Sequence, residues 1–232
     1  MLFGGLQKVS LIDFPGKVSC VLFLSGCNFD CPYCHNPDLV RGEQLCSSSM
    51  DEAEIYAFLE RRKGLLDGVV ISGGEPTLVE DLAPLCEKIK GMGYHVKMDT
   101  NGSRPKVIKR LTDESLVDYI AMDIKTAPSR YATLIKKEYD SNDIRTSIRI
   151  IMDSSLPHEF RTTCVKPFVD RHIIEHLVRI VSGANLYVLQ RFNNTRILHP
   201  EFFKEAEPGY DMDELMLMKS IAEPWVKECI VR

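Results

Sequence analysis

The sequence lacks the features that would direct the chain to a membrane or to nucleic acid. No apolar run approaches the roughly 18 residues that a membrane-spanning helix needs, and the longest early run, residues 18–24, is interrupted by Ser19. Lysine and arginine number 29 against 33 aspartate and glutamate residues, a formal net charge of −4. A strongly basic nucleic-acid-binding surface is therefore not indicated. The sequence predicts neither a membrane nor nucleic acid as a partner.

A targeting segment, an internal repeat and a flexible linker are also missing from the sequence. The first residues show no charged stretch followed by an apolar one, so we expect no signal peptide and a cytoplasmic location. Hydrophobic residues make up 44% and charged residues 27% of the 232 residues, a composition that excludes global disorder. We expect a single domain over residues 1–232, with a core at about 15–195 and a C-terminal extension at 196–232.

Short apolar runs alternate with segments of helical periodicity along the chain. Six runs have the length and composition of buried strands: residues 18–25, 68–72, 94–99, 119–123, 159–165 and 185–192. Strands that alternate with helices predict a parallel sheet covered by helices. An open doubly wound sheet and a barrel-like array both fit this pattern. Because a full eight-stranded barrel takes roughly 250 residues, the predicted fold is α/β, a partial (β/α)6 TIM-like barrel of parallel strands with outer helices.

Polar clusters follow each of the six predicted strands or lie near its end. They occupy residues 25–34, 73–76, 99–102, 123–125, 161–163 and 190–191. In parallel α/β folds, ligands bind at the carboxyl ends of the strands. The six clusters are therefore expected to converge on one mouth of the barrel.

Three of the eight cysteines lie within eight residues, with the spacing C-x3-C-x2-C: Cys27, Cys31 and Cys34. The other five are scattered: Cys20, Cys46, Cys86, Cys164 and Cys229. In a chain expected in the cytoplasm, clustered thiols indicate ligands or catalysts rather than disulfides. Three thiolates on one loop can hold an iron–sulfur cluster or a metal ion. The missing fourth ligand leaves one position at which a small molecule can bind directly.

This cysteine motif resembles that of the radical S-adenosylmethionine enzymes. The resemblance implies a [4Fe-4S] cluster held by the three cysteines, with S-adenosylmethionine chelated to the fourth iron. It also implies reductive cleavage to methionine and a 5'-deoxyadenosyl radical that abstracts a hydrogen atom. Tyr33 matches the aromatic position that packs near the adenine in this family. A second motif, which lines the methionine amino group, is matched by Gly73, Gly74 and Glu75, followed by Pro76.

A narrower resemblance is to the glycyl-radical-enzyme activases. It rests on the run CPYCHNP, on the DTNG stretch at 99–102 and on the DIK stretch at 123–125. The resemblance implies that Asp99 and Asp123 approach the methionine amino group, with a monovalent cation as a further candidate ligand of these acids. Lys125 and Arg161 match residues near the carboxylate and ribose. Two further residues, on the adenine side, are His35 and Asn36.

The charges of S-adenosylmethionine support this assignment independently of the family. The molecule carries a sulfonium, an ammonium and a carboxylate, so a site for it needs acids for the ammonium and bases for the carboxylate. The two aspartates supply the acids, and Lys125 and Arg161 supply the bases.

The short distance between the two motifs refines the resemblance further. Larger activases carry an inserted ferredoxin-like segment with additional cysteine motifs, whereas only Cys46 lies between Cys34 and Gly68 here. The chain thus resembles the short activases of the anaerobic ribonucleoside-triphosphate reductase. This implies that the substrate is a glycine Cα–H of that glycyl radical enzyme, with flavodoxin or ferredoxin as the electron donor.

Two alternatives remain at this point. Small radical enzymes such as 7-carboxy-7-deazaguanine synthase resemble this chain in length and motif, and they would need a pocket for a small pterin. A non-catalytic metal-binding scaffold would instead hold zinc or a redox-silent cluster and cleave no S-adenosylmethionine.

One further stripe, at Met212, Leu215, Met216 and Met218, has the spacing of a helix core.

Overall fold

A computed structural model describes residues 3–42, 51–134, 140–203 and 207–232 of the chain. In these residues one eight-stranded sheet follows the chain order, and β1 runs antiparallel to β2 while the remaining strands run parallel. The strands are β1 (Phe3–Ser10), β2 (Ser19–Leu24), β3 (Gly68–Gly73), β4 (His95–Thr100), β5 (Tyr119–Asp123), β6 (His158–Cys164), β7 (Leu186–Arg191) and β8 (Cys229–Val231). The sheet forms a partial barrel, which is open because β1 and β8 lie at opposite ends of this order and do not pair.

Helices cover the outer face of the sheet and connect its parallel strands. In the described part of the chain they are α1 (Pro37–Arg41), α2 (Glu52–Arg61), α3 (Leu82–Gly91), α4 (Pro105–Asp113), α5 (Ser141–Asp153), α6 (Arg171–Ile180) and α7 (Met212–Ala222). The predicted α/β partial barrel is confirmed, and the six predicted strands correspond to β2–β7. Helix starts are set locally by aspartates such as Asp170, whose side chain accepts a hydrogen bond from the Ile173 amide at 2.8 Å.

The apolar side chains form two separate cores, one on each face of the sheet. The larger core lies between the sheet and its helices. The smaller one fills the interior of the barrel and includes Phe14, Val21, Val70, Tyr119 and Ala121. The ring of Phe14 lies 5.9 Å from that of Tyr119, which closes the end of the barrel where the strands begin.

The segment after β7 crosses the loop that follows β2. The amide of His199 donates to the Pro32 carbonyl at 3.0 Å, and the Arg196 guanidinium binds both carboxylate oxygens of Asp38 at 2.7 and 2.8 Å. The chain then forms α7 and returns as β8, which pairs with β7. Residues 196–199 thus contact the cysteine loop and α1, and β8 extends the sheet.

The predicted helix-core stripe on α7 is confirmed for one pair of residues and wrong for the other. Leu215 and Met218 are buried, whereas Met212 and Met216 are about half exposed. No helix in the described ranges is both long and apolar enough to cross a membrane.

Candidate active site

The three clustered cysteines line one cavity of about 280 Å³ at the carboxyl ends of the strands. They lie on the loop between β2 and α1, which is held by a hydrogen bond from the Gly26 amide to the Leu39 carbonyl at 2.8 Å. The buried ring of Phe29 anchors the loop from within, 5.7 Å from the ring of Tyr131. A loop fixed at both its entrance and its centre presents the thiols to a common space.

Burial determines the protonation of these thiols in the metal-free chain. It raises the pKa of Cys27 to about 11 and that of Cys31 to about 12. Both are therefore thiols at neutral pH, and iron must displace their protons on binding.

The donor set around the cavity fits an iron–sulfur cluster with one iron left free of protein ligands. Four other cysteines, Cys20, Cys86, Cys164 and Cys229, are buried in the core, and none lines the cavity; Cys46 lies outside the described residues. Among the described residues, no group of three histidine, cysteine or acidic side chains is placed to hold a single metal ion. Three thiols that surround a cavity of this size suit an iron–sulfur cluster better than a single metal ion.

The two glycines of the second motif join the end of β3 to the cysteine loop. The Gly74 amide donates to the Leu24 carbonyl and the Glu75 amide to the Gly26 carbonyl, both at 2.8 Å. A Cβ on Gly74 would lie 2.0 Å from the Gly26 oxygen, and one on Gly73 would lie 2.4 Å from the Leu24 oxygen. Both glycines line the cavity, yet the neighbour that excludes a side chain is backbone: the cysteine loop for Gly74 and the end of β2 for Gly73.

Glu75 is the one predicted site residue that does not line the cavity. Its buried carboxylate accepts hydrogen bonds from the Thr77 amide and hydroxyl at 3.1 and 2.5 Å, from the Thr100 hydroxyl at 2.8 Å and from the Asn101 amide at 2.6 Å. Burial raises the pKa of Glu75 although these hydrogen bonds oppose the shift. The carboxylate ties the end of β3 to the end of β4, and the cofactor contact of Glu75 stays a prediction.

Asp99 lines the cavity from the end of β4. Its Oδ2 accepts a hydrogen bond from the Ser72 hydroxyl at 3.0 Å and lies 3.5 Å from the Arg161 guanidinium, while Oδ1 pairs with the Lys97 ammonium. Burial by itself would raise the pKa of Asp99, but the charges of Arg161 and Lys97 outweigh it and hold that pKa below its ordinary value. Asp99 is an anion at neutral pH.

Asp123 lines the same cavity from the end of β5 and pairs with two cations. Its Oδ1 accepts from the Arg161 Nε at 2.6 Å and its Oδ2 from the Lys125 Nζ at 2.9 Å. Burial opposes ionisation, yet these two cations hold the pKa of Asp123 well below its usual range. The Asp123 carboxylate in turn raises the pKa of Lys125 and Arg161 against the effect of their own burial. All the predicted acids and bases of the cavity are thus charged.

Three predicted residues line the cavity beside the last cysteine: Tyr33, His35 and Asn36. Tyr33 is buried against Phe168, with ring centroids 5.3 Å apart, and its hydroxyl has no hydrogen-bond partner within the described structure. The His35 ring stacks on Phe192 at 5.8 Å, and its Nε2 lies 2.6 Å from the Asn193 carbonyl. The segment after β7 therefore fixes the side of the cavity that the resemblance assigns to adenine.

Two charged residues in the barrel interior were missed by the sequence analysis. Lys97 and Glu159 are each 1% exposed and precede Asp99 and Arg161 by two positions on their strands. Alternate residues of a strand point to the same face. A charged residue two positions before a predicted site residue was therefore the signal in the sequence that it faces the barrel interior. Glu159 lies 3.6 Å from Arg161 and 3.5 Å from Arg232.

A third missed feature is an amide cluster beside the first cysteine. The Asn101 Nδ2 donates to the side-chain oxygen Oδ1 of Asn28 at 3.0 Å and lies 4.0 Å from the Cys27 Sγ. The Asn28 amide nitrogen donates to the Ser103 hydroxyl at 2.9 Å. These contacts connect the cysteine loop to the end of β4.

The chain matches known proteins along most of its length. The model of the radical SAM superfamily matches residues 21–180. The "putative glycyl-radical enzyme activating enzyme" of Methanocaldococcus jannaschii is 34% identical over 100% of this chain and 95% of its own length. The pyruvate formate-lyase-activating enzyme of Streptococcus mutans is 27% identical over 207 residues, which cover 85% of this chain and 76% of that protein.

A solved structure shares the fold at low sequence identity. Streptococcus suis SuiB bound to S-adenosylmethionine superposes with a TM-score of 0.68 at 12% identity, over 91% of this chain and 51% of that one. The chain thus spans about half the length of SuiB. The superfamily implies a [4Fe-4S] cluster and S-adenosylmethionine, and the three thiols in the charged cavity fit both. The chain is a radical SAM enzyme, in the family of the glycyl-radical enzyme activating enzymes that it matches along its full length.

Proposed function

We propose that this protein generates a glycyl radical on a partner enzyme, most specifically on an anaerobic ribonucleoside-triphosphate reductase. The observation that carries the proposal is the convergence of three thiols and four charged side chains on one cavity at the mouth of the barrel. The full-length match to a relative named as an activating enzyme supports the same reaction class.

When bound, the cluster supplies one electron for the cleavage of S-adenosylmethionine. The chain's own residues would bind and orient the reactants: Cys27, Cys31 and Cys34 hold the irons, and Asp99 and Asp123 receive the ammonium group. Lys125 and Arg161 receive the carboxylate and ribose, and the backbone of Gly73 and Gly74 borders the methionine amino group. The adenine side is formed by Tyr33, His35 and Asn36. A monovalent cation beside the two aspartates belongs to the same proposal.

The overall reaction balances with one external electron. S-adenosylmethionine and that electron give methionine and 5'-deoxyadenosine, whose added hydrogen atom comes from the Cα of a glycine in the partner, which is left as the radical. A flavodoxin or ferredoxin is the proposed donor, and the cytoplasm is the proposed location. The preference for the ribonucleotide reductase as partner rests on the short connection between the cysteine loop and β3, which leaves no room for a ferredoxin-like insertion.

The proposal is tested anaerobically by electron paramagnetic resonance. The protein is reconstituted with iron and sulfide and mixed with S-adenosylmethionine, a reductant and the anaerobic reductase of the source organism. We expect a doublet that requires every component and collapses when the glycine is deuterated at Cα. Cys31→Ala should abolish both the cluster and the doublet, whereas Cys86→Ala, which alters a core cysteine away from the cavity, should retain both.

Two other outcomes would redirect the assignment. Cleavage of S-adenosylmethionine without a doublet would overturn the ribonucleotide reductase as partner and direct the search to another glycyl radical enzyme, or to a small substrate such as that of 7-carboxy-7-deazaguanine synthase. Zinc retention with no cleavage would support the metal-binding scaffold.

A further inference from the structure

Lys97 is a buried lysine beneath the floor of the cavity. It lies on β4 with 1% of its side chain exposed and does not itself line the cavity. Its ammonium pairs with Asp99 and lies 5.8 Å from the centroid of the Tyr119 ring. Burying an ammonium is costly unless a partner compensates its charge. Asp99 is that partner for Lys97.

The carboxylate of Asp99 is held by donors from three strands. Ser72 on β3 donates to Oδ2 at 3.0 Å, Arg161 on β6 approaches Oδ2 at 3.5 Å, and Lys97 on β4 pairs with Oδ1. Arg161 makes its shorter contact, 2.6 Å, with Asp123 instead. Lys97 is therefore the nearest cation to Asp99 and the one charged partner of its Oδ1 in the described structure.

We propose that Lys97 is a positioning residue that fixes the Asp99 carboxylate toward the cavity and thereby sets the affinity for the cationic end of S-adenosylmethionine. The inference rests on S-adenosylmethionine binding in this cavity, which the proposed function shares. It does not depend on the identity of the glycyl radical partner. Because Lys97 acts through Asp99, its contribution should disappear when Asp99 loses its charge.

The test is a double-mutant cycle of equilibrium binding. The parent, Lys97→Met, Asp99→Asn and the double variant are loaded with cluster, and S-adenosylmethionine binding is measured by calorimetry. We expect Lys97→Met to weaken binding about tenfold in the parent and less than about twofold in the Asp99→Asn background. The KM for cleavage should rise in proportion to the dissociation constant of S-adenosylmethionine, while kcat stays within about twofold. This is expected when ground-state and transition-state binding are lost equally.

Lys90→Met is the matched control, because Lys90 pairs with Asp118 at 2.6 Å outside the cavity. It should bind S-adenosylmethionine like the parent. Parental affinity in Lys97→Met, or an equal loss in both backgrounds, would overturn the proposal.

If Lys97→Met does not fold or load cluster, the double variant is compared with Asp99→Asn, since the double variant removes both charges of the buried pair and leaves neither without its partner. Binding by the double variant about tenfold weaker than by Asp99→Asn would then contradict the role. Intact binding without any glycyl radical would overturn the partner assignment but leave the role of Lys97 standing.

Discussion

At the residue scale, the acids at and beside the cavity differ in the charge of their partners. Glu75 accepts hydrogen bonds from neutral amides and hydroxyls, and burial raises its pKa. Asp99 and Asp123 are partly buried, and adjacent cations lower the pKa of each. A carboxylate therefore links two strand ends when its partners are neutral, as in Glu75, and lines the cavity as an anion when its partners are cations, as in Asp99 and Asp123.

Glu75→Gln should destabilise the metal-free protein by about 1–3 kcal/mol. All four groups that hydrogen-bond to the carboxylate act as donors. The NH2 group of glutamine is also a donor, so it would face a donor in place of an acceptor. Urea unfolding of the metal-free chain measures the change. A variant as stable as the parent would show that the carboxylate does not hold β3 to β4.

At the element scale, the contact between the end of β3 and the cysteine loop determines the shape of the cavity. Gly74 lies so close to Gly26 that no side chain fits between them. The sequence predicted Gly74 as a site residue but not its contact with the loop, because the relative position of two loops depends on the pairing of β2 with β3.

Gly74→Ala should destabilise the fold by about 1–3 kcal/mol and lower the cluster content, because the loop must move to admit the methyl group. Iron and sulfide analysis and thermal unfolding measure the two effects. Gly91→Ala is the matched control: no atom lies within 4 Å of its would-be Cβ, and alanine at this helical position should stabilise by up to about 1 kcal/mol. Normal cluster loading in Gly74→Ala would contradict the tight contact.

The elements that could be predicted are those with the strongest patterns. The strands β2, β3, β5 and β7 are mostly apolar runs, which makes them visible in the sequence. β1 was missed because it pairs antiparallel at the sheet edge, with Gln7, Lys8 and Val9 exposed in its centre. Lys97 and Glu159 were missed because attention fell on strand ends, whereas these charges lie below them inside the barrel.

At the scale of the whole molecule, the paired charges at the cavity make the free energy of unfolding depend on pH. The pKa of Asp123 is lowered in the folded protein, so its contribution to stability is present above the unfolded-state pKa of about 3.9 and is lost as pH falls through the lower folded value. We expect the free energy of unfolding of the metal-free parent to decrease more steeply below about pH 4 than that of Asp123→Asn. Denaturant titrations at a series of pH values measure the two slopes; equal slopes would show that Asp123 does not carry this dependence.

The distribution of cysteines between the cavity and the core also determines how the protein is damaged by air. Cys20, Cys86, Cys164 and Cys229 are buried in the core, whereas Cys27 and Cys34 are partly exposed and share one cavity with Cys31. Among the described cysteines, we therefore expect disulfides formed after loss of the cluster to join thiols of the loop at 27–34, because an oxidant reaches that cavity first. An oxidised sample would keep its hydrophobic core intact, and a thiol reductant followed by iron and sulfide would return it to a competent state.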